Sequence, residues 1–134
     1  MIQPLFIFSD WSILILRIIL GLVLLAHGWP KIKNLSSTAQ NFAGMGFKPA
    51  RFWGTIAAVV EFFGGLFLII GLLTQLVALL VAIQFVVAIL KVKGKQGLVN
   101  GYELDLLILG AALLLVTVGG GFYSLDVFLN LFIY

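Results

Sequence analysis

The chain has no cysteine. It therefore forms no disulfide, binds no metal through thiolate and builds no thiol relay from its own side chains, and its redox compartment leaves no mark on the sequence. Charge is almost as scarce: Asp, Glu, Lys and Arg make up 10% of the 134 residues, against about 25% in soluble domains. There is a single histidine, and with no second histidine, no cysteine and no clustered carboxylates beside it no zinc or haem coordination shell is written in the sequence. No nucleophile-base arrangement, phosphate loop, metal motif or flavin motif is present. The net charge of +3 comes from basic residues flanking apolar runs, without the interleaved aromatics of a nucleic-acid surface, and so reads as a topology signal and not as a nucleic-acid partner.

What is abundant is apolar surface. Hydrophobic residues account for 63% of the chain and the mean hydropathy is +1.23. At about 20 residues per spanning helix, the length allows four crossings of a bilayer and no separate soluble domain. The expected fold is all-α, an integral membrane four-helix bundle forming one domain over residues 1–134, in contact with the lipid bilayer. The spans fall at about 11–29, 52–73, 75–90 and 102–118. Trp11 and Trp29 stand at the two interfaces of the first. Met1 to Asp10 contains no Lys or Arg, so no cleaved leader is expected and the first span stays.

The second and third spans are joined almost directly, with Gly71 suited to end one helix and Thr74 to cap the next. Gly119 to Gly121 close the fourth. Two further segments do not read as spans, and each is expected to hold a short helix at the membrane interface. In Pro30 to Ala50, Ile32, Leu35, Ala39 and Phe42 recur at helical spacing behind a Ser37–Gln40 capping box, and Met45-Gly46 would end the helix. At the other end Ser124 is placed to cap a helix whose Leu125, Phe128, Leu129 and Phe132 share one apolar face; it is expected to lie flat on the membrane. All seven loop cations fall in the two loops on one side of the membrane, namely Lys31, Lys33, Lys48, Arg51, Lys91, Lys93 and Lys95. The positive-inside rule then puts those loops in the cytoplasm and both termini outside.

Against this background the stretch "EFFGGLFLIIG", Glu61 to Gly71, raises a question, because a charge at mid-membrane costs roughly 2.5 to 3.5 kcal/mol and needs a partner or a task. At about 1.5 Å per residue, Arg17 lies roughly 9 Å from the outer end of its span and Glu61 roughly 13 Å from the inner end of its own. The expectation is an Arg17–Glu61 pair, joined by two parallel hydrogen bonds. His27 and Glu103 form a second level near the cytoplasmic boundary and are expected to hydrogen-bond. Glu103 and Asp105 are about 200° apart on a helix and cannot both face inward; the helix dipole alone accounts for Asp105. Gln84 is the other mid-membrane polar side chain. Gly21 and Gly28 share the side of Arg17, and Gly64 and Leu68 that of Glu61, which allows close backbone approach around the charges. The charges admit two readings, an ion pair that fixes helix register and a ligand or proton site.

The order of motifs resembles the DoxX family: Arg-x-x-x-Gly at Arg17 to Gly21, "HGWPK" at His27 to Lys31, "EFFGGLFLIIGLLT" at Glu61 to Thr74, "NGYELDLL" at Asn100 to Leu107 and "GGGFYSLD" at Gly119 to Asp126. The resemblance implies a small four-helix protein of a prokaryotic cytoplasmic membrane, associated with redox chemistry. Relatives include DoxD, the membrane subunit of a thiosulfate:quinone oxidoreductase. Arg17, His27, Lys31, Glu61 and Glu103 match recurring polar positions of the family. From it follow the expectations of a quinone as cofactor and a redox partner subunit, with Arg17, His27, Glu61 and Glu103 as ligand-binding or proton-relay residues; beside these, Lys31, Gln84 and Asp105 are structural or rim candidates, and a homo-oligomer is a further expectation. The competing expectation is a non-catalytic scaffold or small-molecule carrier in which the same charges hold the bundle together.

Overall fold

The computed structural model describes residues 3–130. A single-turn 3₁₀ helix, Pro4–Phe8, leads into α1, Ser9–Lys33. Then come α2 (Leu35–Gly44), α3 (Ala50–Ile70), α4 (Thr74–Val87), α5 (Glu103–Val118) and the short α6 (Leu125–Leu129). No strand occurs among the described residues. Four helical stretches are long and apolar enough to cross a membrane: Pro4–Lys33, Ala50–Ile70, Thr74–Gln96 and Leu98–Val118. Their outward faces carry bare Ile15, Ile19, Leu22, Leu79, Ile83 and Leu107, the surface of a protein whose solvent is lipid.

In α1 the buried positions are Arg17, Leu20, Gly21, Leu24 and Gly28, a stripe at helical spacing. It meets α3 with no room for side chains. A Cβ on Gly21 would lie 2.6 Å from the Gly65 carbonyl oxygen, and one on Gly28 would lie 2.5 Å from the Phe62 nitrogen. Gly65, and not Gly64, forms the α1 contact; Gly64 faces Val77 of α4. Small residues let helices approach closely where lipid offers no hydrophobic drive to associate. The apolar core lies between α1, α3, α4 and α5, where Leu24, Leu68, Val81 and Leu115 are fully buried.

The helix ends depart from the expected caps in instructive ways. Gly71 ends α3 in the left-handed region at φ 76°, as read from the sequence, and Ser124 Oγ accepts from the Val127 N–H at 3.4 Å at the start of α6. Thr74, however, does not cap α4. The Asp126 carboxylate reaches across to do so, accepting from the N–H groups of Leu73 at 2.6 Å and Thr74 at 2.9 Å. That partner also holds Leu73 at φ 51°, a conformation that costs a branched residue energy. In α2 the cap is Asn34, whose Oδ1 accepts from the Ser37 N–H at 3.0 Å, so Ser37 is inside the helix and Ile32 belongs to α1. Asn34 wins because the chain breaks helical geometry there, at ψ 81°, which frees its side chain to turn onto the next amides. Helix α2 ends at Gly44 before Met45-Gly46. The apolar face expected near the C-terminus includes Phe132, which lies outside the described residues.

Candidate functional site

The intramembrane charges do not pair as the sequence suggested. Arg17 is 1% exposed and spends its guanidinium on backbone. Nε donates to the Leu68 carbonyl at 2.6 Å, Nη2 to that of Tyr123 at 2.7 Å, and Nη1 to that of Gly120. No carboxylate lies within ion-pair distance of it among the described residues; Asp126 is the acidic group whose field reaches it. The reason is local supply of acceptors. At the α3 terminus and in the glycine loop after α5 the carbonyls have left their helical partners, and a planar cation with five donors satisfies several at once. Arg17 thus ties the end of α3 to the segment between α5 and α6, while Asp126, in the first turn of α6, ties that helix to the start of α4.

Glu61 is paired from the opposite end of the bundle. Lys31, in the last turn of α1, brings its ammonium 2.7 Å from both Glu61 oxygens, and Gln84 Nε2 donates to Oε1 at 2.7 Å. The Glu61 side chain is 3% exposed and that of Lys31 33%. Lys31, expected at the rim, is therefore the direct partner of the buried carboxylate, its aliphatic stem running along apolar surface. With Nε2 turned to Glu61, the buried Oε1 of Gln84 has no hydrogen-bond partner among the described residues.

These groups form one wall of a cavity of about 530 Å³ at the lysine-rich end of the bundle, within the range of small-molecule sites. Ile56, Val60, Leu80, Ile83 and Phe85 give it an apolar lining; α2 and the following turn close one side through Phe42 and Phe47. His27 lines the cavity with its side chain exposed, whereas Glu103 is exposed and outside it. The expected His27–Glu103 bond is absent among the described residues. Asp105 takes the inward place instead, 4% exposed, with Lys93 Nζ 3.0 Å from Oδ2 and 3.3 Å from Oδ1. The inward face of α5 is Asp105, Ile108, Ala112 and Leu115, and the roughly 200° between positions 103 and 105 turns Glu103 outward. No cluster of three or more metal-ligating side chains occurs among the described residues.

The cavity thus brings together Lys31, Glu61, Gln84, His27 and Asp105 of the residues singled out in the sequence. Arg17 is at the other end and Glu103 is outside. Asp126 was missed altogether, although its place two residues after Ser124 at the head of an apolar turn marks it as a first-turn acid.

The family model DoxX matches residues 12–94, a stretch that includes Arg17, His27, Lys31, Glu61, Gln84 and Lys93. The chain is 33% identical over 115 residues to the Bacillus subtilis (strain 168) protein named "Putative oxidoreductase CatD", covering 86% of this chain and 84% of that protein. It is 33% identical over 125 residues to "Inner membrane protein YqjF" of Escherichia coli (strain K12), covering 91% and 95%. An uncharacterized membrane protein of Mycobacterium tuberculosis is 30% identical over 129 residues, covering 86% and 79%. No solved structure matches the chain at a significant level.

Proposed function

This chain is an integral membrane protein that belongs to the DoxX family, and from that premise we propose that it is the membrane subunit of a quinone-linked oxidoreductase, with the cavity at its lysine-rich end as the quinone site. The observation that carries the reading is the Gln84 carbonyl oxygen, buried in that wall without a donor, beside the Lys31 ammonium and the Glu61 carboxylate in a cavity with a largely apolar lining. Buried polar atoms without partners are rare, and one on a residue that lines a cavity of ligand size is accounted for by a ligand that donates to it. The fit to a quinone is chemical. Lys31 offers a donor to a ring carbonyl, Gln84 Oε1 an acceptor for a hydroxyl of the reduced form, and Glu61 a base that holds or passes a proton. A bound quinone supplies two-electron, two-proton chemistry, and a partner protein supplies the electrons. One relative's name contains the word oxidoreductase, in keeping with this.

A second reading has its own observation. Both Glu61 oxygens are already hydrogen-bonded within the protein, as a carboxylate in a non-catalytic scaffold or carrier would be. Glu61→Gln separates the two. Gln keeps size and hydrogen-bonding capacity but removes the ionisable group, so quinone retained by gently purified protein, read by extraction and an ultraviolet redox difference spectrum, is expected to fall about tenfold or more. Retention equal to the parent, in a variant that stays folded under the assay conditions, assigns Glu61 to the scaffold.

We further place the cavity end in the cytoplasm, from the loop cations. Ser37 is exposed on α2 and the chain has no cysteine of its own, so Ser37→Cys gives a clean reporter. An impermeant thiol reagent added to intact cells is expected to leave it unlabelled until the membrane is opened; labelling of intact cells reverses the orientation.

A further inference from the structure

The inner wall of the cavity is charge-matched and its mouth is not. Four lysines and two carboxylates line it; Lys31 pairs with Glu61 and Lys93 with Asp105. Lys48 and Lys91 have no carboxylate within ion-pair distance among the described residues. Lys91 is held 4.4 Å above the Phe47 ring, a contact that fixes its ammonium without neutralising it. Lys33 and Lys95 lie on the same end of the bundle without lining the cavity, so the general excess of cations at this end does not explain why two unmatched ones stand at the opening.

Beside the cavity lies a second space. A shallow groove of about 140 Å³ between α3 and α4 is lined by apolar residues alone, among them Val59, Phe63, Phe67 and Val77, and shares Val60 and Leu80 with the cavity. Along α3 the combined path from Trp53 to Phe67 is roughly 21 Å at 1.5 Å per residue, more than half the hydrocarbon thickness of about 30 Å. It is open to lipid, since Phe63 and Leu80 are half-exposed.

We propose that this site binds an anionic amphiphile of the phosphate-headed lipid class, with the acidic head at Lys48 and Lys91 and one tail in the α3–α4 groove. The inference rests on the cavity being a ligand site, and goes beyond the quinone reading by assigning the mouth to a charged head group. Two unmatched ammonium groups at a membrane surface attract an anion over a zwitterion, and the adjoining apolar groove selects a molecule with a tail over a soluble anion.

The test uses the full-length protein in neutral detergent with lysophosphatidate and lysophosphatidylcholine of the same acyl chain, whose retention is compared by native mass spectrometry. Lysophosphatidate is expected to be retained about tenfold or more over lysophosphatidylcholine. Lys48→Gln combined with Lys91→Gln, both at exposed positions, is expected to bring the two within about twofold, and Leu80→Trp, at the junction of cavity and groove, to lose both. Equal retention by the parent, a preference untouched in the double lysine variant, or displacement of lysophosphatidate by millimolar inorganic phosphate each overturns the proposal, the last by assigning the site to a soluble anion. If a short-tailed quinone is retained while neither lysolipid is, the anionic assignment fails and the quinone reading stands; if none of the three is retained, both fail.

Discussion

Arg17→Met is expected to destabilise the protein by roughly 3 to 5 kcal/mol, because it removes a buried donor set and leaves its acceptors behind. The Leu68 carbonyl keeps a second donor, the Gly71 N–H at 3.2 Å. The carbonyls of Gly120 and Tyr123 lose the donor the structure gives them. Each buried acceptor left unpaired costs about 1 to 3 kcal/mol. The damage should also spread. Arg17 holds the loop that carries Asp126, and Asp126 holds the amides of Leu73 and Thr74, so slackening the first clasp weakens the second. Two measurements check this: reversible unfolding in mixed micelles, and hydrogen exchange at Leu73, Thr74 and Asp126, which should speed up in the variant. Arg17→Lys should recover only part of the loss, since an ammonium is a point donor and cannot reproduce a planar fork aimed at carbonyls from two segments. An Arg17→Met protein that unfolds within about 1 kcal/mol of the parent would mean the carbonyls find other donors and the clasp is incidental.

The axial arrangement was legible in the sequence because the bilayer fixes it. Hydropathy located the four spans and the near-direct connection around Thr74, and the glycines at 71 and 119 to 121 marked where helices stop. What hydropathy does not carry is rotation about a helix axis. Helix α5 reads "ELDLLILGAALLLVTV", apolar on every side, so no polar face announces which way it turns; the inward phase of Asp105 is set by packing of Ile108, Ala112 and Leu115 against α4. The sequence showed that Glu103 and Asp105 could not both face inward, and their assignment had to wait for the fold.

The Arg17–Glu61 expectation failed for a related reason. Depth along the membrane was estimated for the two residues, and opposite charges at similar depth invite pairing. The calculation counted only side chains. Carbonyls freed at the α3 terminus and in the glycine loop compete for a guanidinium, and no side-chain pattern records them. On the other side, a lysine at the end of a span has a stem long enough to send its ammonium inward where a buried carboxylate receives it, as Glu61 does here. Lys31 therefore reached Glu61 first, with Gln84 completing the contact. The result is two polar centres at opposite ends of the bundle, a structural clasp around Arg17 and Asp126 and a cavity around Lys31, Glu61 and Gln84.

Within the cavity, removing either partner of the Lys31–Glu61 pair should not cost the same. Lys31→Met leaves the Glu61 carboxylate 3% exposed with Gln84 as its one remaining donor, and a buried charge without its counter-ion costs about 3 to 5 kcal/mol. Glu61→Gln leaves an ammonium on a side chain that is 33% exposed; it can turn to water, and the new amide still accepts a hydrogen bond, so the loss should be about 1 to 2 kcal/mol. The double variant should be more stable than Lys31→Met alone, because the second substitution removes the stranded charge. A double-mutant cycle in mixed micelles at neutral pH measures all three. Equal losses for the two single variants that simply add would show that Glu61 and Lys31 do not interact across the cavity wall, and Gln84 would then be the partner that keeps a carboxylate in the membrane.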